Sequence, residues 1–473
     1  MFISYFFLQI KKLGQLGLMG INVSEEYGGP ALDSLALSIA VEEIARGCGG
    51  TGTIVSVHNT LYANVLDQLG TKEQKDKFLV GFTDGTHVGC FGISEAGAGS
   101  DVGAMLTTAK LDGDEWVLNG TKAWVTSGYE AKAAVVFATV DKSKKHKGIT
   151  AFLVSIPSPG FSLGKKEDKM GIRASSTCNL ILEDVRVPRE HVLGEHPSNL
   201  RAIQIPSVVT DGARIGISSQ ALGIAQAALD CAVDYASKRI AFGGPIIKLQ
   251  SVQQRLADMA LRLEAARLLT WRAAVIRDTG ERSTKYSSMA KLASSEAATF
   301  VAHNCVQILG GMGYVTDMPA ERHYRDARIT EIYAGVTDVQ KLVIAENVAK
   351  EYGISTSPVD EDPSLLQYCL LVKKWRLFPV EAPHCSCSVM VRNMEVWNTD
   401  HIQIMFGLCN CCTRACDITA WNTAAHSTAL KTVFHNGCNP CPVRTTKGPV
   451  VSSKQYLVVP QTLPTHMSVA GTH

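Results

Sequence analysis

The chain has 473 residues, 46% of them hydrophobic and 19% charged, with a formal net charge of +2. That is apolar material enough for large cores and, at this length, for two to four domains. A charge so near neutrality, with no long Lys/Arg run, excludes an electrostatic nucleic-acid partner, and no apolar run reaches the length of a membrane span.

The opening MFISYFFLQIKK is apolar for only about ten residues, has no basic leading region and no small-residue cleavage site, so it does not read as a signal peptide. Helical spacing then dominates to about Thr86. LALSIAVEEIAR closes before Gly47, and TKEQKDKFLVGF starts on a Thr cap with charge on one face. Residues 1–86 are predicted to form a small helical domain. From His87 the period changes to two, through CFGIS, AMLTTAKL, EWVLNGTKAWVT, AAVVFATV, ITAFLVSI and CNLILEDVRV, with a hairpin signal at Leu111-Asp112-Gly113-Asp114. Residues 87–197 are therefore expected to be a compact antiparallel β-domain of barrel or sandwich type.

After Leu200 helical spacing returns over long, Ala-rich stretches, RIGISSQALGIAQAALDCAVDYASKR, LQSVQQRLADMALRLEAARLLTWRAAVIRD and KYSSMAKLASSEAATFVAHNCVQIL, followed by DVQKLVIAENVAKEY. Residues 198–353 are predicted to be a four-helix bundle. The fold class is α+β: helices, sheet, helices. Cysteine usage marks off the remainder. Cys48, Cys90, Cys178, Cys231 and Cys305 are scattered singly in apolar surroundings, as buried thiols are in a reducing compartment, whereas the other nine lie after Gly353.

The β-region opens on Ser94-Glu95-Ala96-Gly97-Ala98-Gly99-Ser100-Asp101, whose glycines let a backbone approach a ligand closely, though the same residues also make plain turns. It is not a dinucleotide fingerprint. AMLTTAKL after Gly103 is a strand pattern, and a Rossmann loop must open a helix.

Eight segments in order carry a more specific message: SEEYGG from Ser24, SEAGAGSD, NGTKAWVTSG, GKKEDKMGIRASST, ALGIAQAALD, KRIAFGGPI, QILGGMGY and RDARITEIYAG. Their succession resembles the acyl-CoA dehydrogenases, nearest in wording to the short-chain (butyryl-CoA) type. The resemblance covers roughly three quarters of the chain. It implies a mitochondrial-matrix flavoprotein of fatty-acid β-oxidation, a homotetramer with FAD. Such an enzyme desaturates an acyl-CoA thioester between Cα and Cβ and passes electrons to an electron-transfer flavoprotein. No transit sequence is visible in the chain, and the helix preceding the KKLGQLGLMG match is shorter than in the family.

By the same resemblance, Phe91, Ile93, Ser94, Gly99 and Ser100 with Trp124, Val125 and Thr126 would line the isoalloxazine. By pattern alone Trp124 would be an ordinary core aromatic in a strand. Ser100, Asp211, Arg214 and Gly335 match positions that contact the acyl-CoA. Arg239, Gln250, Gln307, Gly310 and Gly311 match residues that hold the FAD of a neighbouring subunit, and Val336, Thr337 and Asp338 a run that touches FAD. A guanidinium such as that of Arg239 suits a pyrophosphate, although a lone Arg near a helix end is more often a solvated charge.

The departure from the family lies at Ile332-Tyr333-Ala334-Gly335-Val336, where the motif reads Ile-Tyr-Glu-Gly-Thr and its Glu is the catalytic base. Ala334 can offer a backbone N–H to polarise a thioester carbonyl but cannot accept a proton. Ala213 occupies the alternative base position of some relatives. Glu331 has a counterpart in relatives that keep the base and so reads as structural, while Tyr333 and Asp338 are nearby with nothing in their favour. The sequence thus allows a dehydrogenase with an unidentified base, a flavin- and acyl-CoA-binding homologue without dehydrogenation, or a defective gene product. HPSNLRAIQIPSVVT replaces the usual entry to the first bundle helix, and Pro206 would interrupt a helix there. Residues 354–473 match nothing in the family. Their cysteines, with His384, His401, His426 and His435, do not pair into a known zinc spacing, so no metal is predicted and a disordered tail is.

Overall fold

The computed structural model describes residues 2–194, 207–354, 397–399, 402–408 and 415–421. The chain divides into two units, Met1–Thr356 and Ser357–His473. The first begins with α1 (Phe2–Gln15), α2 (Ser34–Gly47), α3 (Gly49–Val57), α4 (Asn64–Leu69) and α5 (Lys72–Phe78). Their starts are encoded locally. The Asp33 carboxylate accepts the Ala36 N–H at the head of α2, and Thr71 and Gln74 form a reciprocal capping box on α5, where the Thr signal placed it.

Seven strands follow: β1 (Val88–Gly92), β2 (Thr108–Asp112), β3 (Glu115–Thr126), β4 (Ala131–Thr139), β5 (Ile149–Ser155), β6 (Phe161–Leu163) and β7 (Thr177–Pro188). They form one sheet in the order β1-β4-β2-β3-β7-β6, with β5 paired to β4. The predicted hairpin is the β2–β3 turn, where Asp112 pairs with Glu115 and Gly113 takes φ +63. One expectation fails. β1 runs parallel to β4, so the sheet is mixed rather than antiparallel. Alternation reports which face a side chain takes and carries no strand direction. On β4, Val135 and Phe137 pack toward the helices with Tyr62, Leu66 and Phe82, while Ala134 and Val136 pack with Trp116, Phe152 and Leu180 on the other face. Burial on both faces is the usual setting of a parallel pair. Gly89 on β1 lets the helices close down, since a Cβ there would lie 2.3 Å from the Tyr62 ring.

The helical region after the sheet contains α6 (Ser207–Lys238), a short hairpin of β8 (Ile240–Ala241) and β9 (Gly244–Pro245), α7 (Gln250–Asp278), α8 (Thr284–Leu309), α9 (Gly311–Tyr314), α10 (Ala320–Arg328) and α11 (Thr337–Glu351). The four long helices are those the spacing predicts, and α8 is the central one, packed by α6, α7, α10 and α11. Ala225, Ala228 and Ala232 of α6 meet Ala298 and Ala302 of α8 in one buried cluster, and such small side chains let helix axes approach closely. The α+β order of helices, sheet and helices is as expected. Pro206 and the segment before α6 lie outside the described residues. In the second unit β10 (Trp397–Thr399), β11 (Ile402–Leu408) and β12 (Ala415–Trp421) form an antiparallel sheet. Except for Cys416 on β12, the cysteine and histidine positions singled out there lie outside the described residues. No helix among the described residues is long and apolar enough to cross a membrane, and no three metal-ligating side chains gather there.

Two buried histidines give the fold a definite response to acid. His58 donates from Nε2 to the Phe82 carbonyl at 3.1 Å and accepts the Gly89 N–H on Nδ1 at 3.2 Å, which fixes it as a neutral ring joining helices to sheet. Burial pushes its pKa down to about 4 from 6.5. Burial, aided by Arg322, does the same to His323, also to about 4. Unfolded histidines take up protons at 6.5. The folded rings resist until about 4, so between these values the unfolded chain binds more protons and stability drops as the pH is lowered. Each ring contributes on the order of 3 kcal/mol that is present above pH 6.5 and lost as the pH drops toward 4. Thermal melts by circular dichroism from pH 7.5 to 4.5 should show this decline, and His323→Asn should flatten it.

Candidate functional site

Two groups of residues stand out. The first is the loop following β1 and a bulge near the end of β3. Strand alternation along β3 sends Trp116, Leu118 and Lys122 inward and would send Trp124 with them. The β3–β7 register shifts between Lys122 and Val125, Trp124 takes φ +56, and the side chains beyond exchange faces. Val125 is buried and Trp124 is 58% exposed. The core-aromatic reading of Trp124 is thereby overturned. Beside it the Ser94 carbonyl accepts the Ala123 N–H at 2.8 Å, so the chain leaving β1 runs next to the part of β3 that continues into Trp124, Val125 and Thr126. Gly99 and Ser100 are exposed on the loop, and a Cβ at Gly97 or Gly99 would meet nothing within 4 Å. A strained, exposed indole beside an open glycine loop fits a planar apolar ligand such as the FAD ring system.

The second group surrounds Ala334, which follows a short 3-10 turn after α10 and takes φ +54, with Gly335 at φ +92. Lys291 of α8 is fully buried and donates from Nζ to the Gly335 carbonyl at 2.7 Å. Burial pushes its pKa down to about 8. Gln340, also fully buried, donates to the carbonyls of Ala334 at 3.3 Å and Gly335 at 2.9 Å. A Cβ on residue 335 would lie 2.3 Å from the Gln340 amide nitrogen, so only glycine permits this clamp. The loop is held in a conformation that an L-residue adopts at a cost of roughly 1 kcal/mol or more, yet its side chain is a methyl.

Apart from the exposed Asp338, no described candidate supplies a free carboxylate in its place. Ala213 is buried on α6. Glu331 accepts hydrogen bonds from Thr299 and Arg328. Tyr333 donates to Gln220, and burial pushes its phenol well above the ordinary range. Asp211 accepts from Arg214 at 2.8 Å on one oxygen and from Thr284 at 2.9 Å and Ser283 at 3.2 Å on the other, which pins α6 to the head of α8. The Nε of the half-buried Arg214 is itself buried and unpartnered. Asp338 is exposed in the first turn of α11, after Val336 at the cap and Thr337, whose hydroxyl reaches the Glu331 carbonyl at 3.4 Å.

Arg239, Gln250, Gln307, Gly310 and Gly311 join neither group. They are exposed at helix ends, just after α6, at the start of α7, in the last turn of α8 and at the α8–α9 junction. Sequence reading missed Lys122, Lys291 and Gln340. The signals were present as a Lys on the inward face of a strand and another on the buried face of a helix.

Comparison with known proteins agrees with this architecture. The acyl-CoA dehydrogenase N-terminal, middle and C-terminal domains are matched over residues 5–86, 90–185 and 207–349. The chain belongs to the acyl-CoA dehydrogenase family, FAD-dependent oxidoreductases of mixed α+β fold. The mitochondrial short-chain specific acyl-CoA dehydrogenase of Bos taurus is 60% identical over 344 residues, 73% of this chain and 83% of that protein. The structure of butyryl-CoA dehydrogenase from Megasphaera elsdenii superposes with a TM-score of 0.69 at 43% identity, over 72% of this chain and 89% of its own. A glutaryl-CoA dehydrogenase from Mycobacterium smegmatis in complex with FADH2 gives 0.68 at 31% identity, over 73% and 86%.

Proposed function

We propose that this chain carries the flavin and thioester machinery for α,β-dehydrogenation of short-chain acyl-CoA in fatty-acid β-oxidation, with proton abstraction crippled at Ala334. The observation behind this reading is the Ala334 loop, clamped by Lys291 and Gln340 at positive φ and presenting a methyl group. When bound, FAD supplies the two-electron acceptor. Phe91, Ile93, Ser94, Gly99 and Ser100 with Trp124, Val125 and Thr126 would hold its ring, and Val336, Thr337 and Asp338 would also touch it. Ser100, Arg214 and Gly335 would contact the acyl-CoA, with Asp211 holding Arg214 in place. The Ala334 N–H, fixed by the clamp, is set to polarise the thioester carbonyl and so acidify the α-carbon.

The exposure of Arg239, Gln250, Gln307, Gly310 and Gly311 accords with their holding FAD of a neighbouring copy in a homotetramer. An electron-transfer flavoprotein is the expected electron acceptor and the mitochondrial matrix the expected location, as for the relatives named mitochondrial. The helical, β and bundle domains divide at 86, 197 and 353 in this reading. A second reading, a flavin- and acyl-CoA-binding homologue without dehydrogenation, is favoured by the engagement of Glu331, Asp211 and Tyr333 inside the protein.

The test is the visible spectrum of the purified protein, followed by anaerobic addition of butyryl-CoA. Bound flavin that bleaches slowly, over many minutes, supports the crippled dehydrogenase. Bound flavin that never bleaches leaves the second reading, and bleaching within a catalytic turnover time would sink both.

A further inference from the structure

Lys122 and Glu95 form the most deeply buried ion pair among the described residues, with side chains 0% and 7% exposed and Nζ–Oε1 at 2.8 Å. Neither touches the region around Ala334. Lys122 lies on β3 two residues before Trp124, and Glu95 lies on the loop after β1, one residue past Ser94. The ammonium also donates to the Ile93 carbonyl at 3.2 Å. The carboxylate accepts the Leu106 N–H at 2.6 Å and the Thr107 N–H at 2.9 Å, closing the far end of the same loop. Gly92 makes room for the lysine stem, because a Cβ there would lie 3.2 Å from Lys122 Cγ. The buried cation therefore ties the start of the Ile93–Thr107 segment to the strand that bears Trp124, and the Glu95 carboxylate it holds ties the end of that segment.

Taking two charges out of water costs several kcal/mol per ion, and apolar replacements of buried pairs are often neutral or stabilising. Stability alone does not explain a lysine here. Burial works to raise the Glu95 pKa, and the hydrogen bonds from Lys122, Thr107 and Leu106 outweigh it and hold the carboxyl below its ordinary value. The carboxylate is thus held charged beneath the loop, while burial pulls the Lys122 ammonium below its ordinary value against the hold of Glu95.

Building on the flavin reading of that loop, we propose that Lys122 is a positioning residue for the flavin, fixing through Glu95 the distance between the Ile93–Ser100 loop and the Trp124–Thr126 wall. It does not touch the ligand. It sets the width of the slot into which the ring system must fit, and a displacement of about 1 Å in such a slot costs on the order of 10-fold to 100-fold.

The experiment compares full-length wild type, Lys122→Met, the double variant Lys122→Met/Glu95→Gln, and Glu95→Asp, each stripped of flavin. FAD affinity is followed by quenching of tryptophan fluorescence, the bound flavin by its visible absorption, and the fold by melting temperature. Lys122→Met alone strands a buried carboxylate and should lose both stability and FAD affinity. The double variant removes the stranded charge. It should recover most of the melting temperature while FAD remains at least about tenfold weaker and its absorption bands shift. A double variant that melts and binds FAD as wild type does overturns the proposal. If the double variant does not recover its melting temperature, Glu95→Asp decides, because it keeps both charges and withdraws the carboxylate by about one bond length. Weakened FAD at an unchanged melting temperature upholds the positioning role, and unchanged affinity overturns it. Wild type that binds no FAD removes the flavin reading of the loop and this inference together, an outcome distinct from equal binding by all four proteins.

Discussion

Ala334→Glu is expected to raise the rate at which butyryl-CoA reduces the bound flavin by roughly 10²–10⁴-fold, the usual worth of a positioned general base. The backbone already takes the required conformation. Ala334 sits at φ +54, clamped through its own carbonyl and that of Gly335 by Gln340 and Lys291, so a longer L-side chain meets little extra backbone strain. Neither Glu331 nor Asp211 can substitute by a simple rotamer change. Glu331 is held by Thr299 and Arg328, and both Asp211 oxygens are engaged by α6 and α8. Anaerobic stopped-flow absorbance of the flavin band is the measurement, with Ala334→Gln as a control of equal size that cannot take a proton. No gain with Glu, or an equal gain with Gln, would mean that the missing carboxylate is not what limits this chain.

The second large effect concerns the joint between the N-terminal helices and the bundle. Glu42 of α2 has a side chain 6% exposed and is paired with Arg267 of α7, whose Nε and Nη2 lie 2.9 and 2.8 Å from Oε1. Arg267 has other acceptors, Glu264 at 2.6 Å and Gln226 at 2.8 Å, whereas the hydrogen bonds to Glu42 come from Arg267. Removal of the arginine is therefore the harsher cut. Burial already pushes the Glu42 pKa up against the pull of Arg267. Arg267→Met should cost on the order of 3–5 kcal/mol, the penalty of leaving a buried charge unpaired, and lower the melting temperature by roughly 5–15 °C. Adding Glu42→Gln should recover most of that loss. A single variant that melts within a degree or two of wild type would show that the pair carries no weight at this joint.

Much of the architecture was legible without coordinates because local chemistry dictates it. Asp33 and Thr71 announce helix starts, Gly113 closes a hairpin, and the Ala-rich spacing of the bundle helices admits little but close helix packing. The site was legible only as a set of matched motifs. Which of its parts meet was not. Trp124 falls on the inward phase of its strand, and only the bulge against β7, a property of two strands in register, turns it to the surface. Lys122 and Lys291 read as ordinary lysines on a strand and a helix until their partners, Glu95 at a distance of 27 residues and Gly335 at 44, fold against them. Likewise the continuous apolar run of β4 shows that both its faces are covered but does not name β1 as its parallel partner.

By itself the sequence determined the family, the helix–sheet–helix order and the absence of a carboxylate at residue 334, since these depend on residue identity and local spacing. The tertiary structure alone decided that the Ala334 loop is still clamped in a strained form and that Glu331 and Asp211 are tied up. It alone also showed that a buried cation welds the two walls around Trp124. These depend on pairings between residues far apart in the chain, whose energies arise only when burial strips water from both partners.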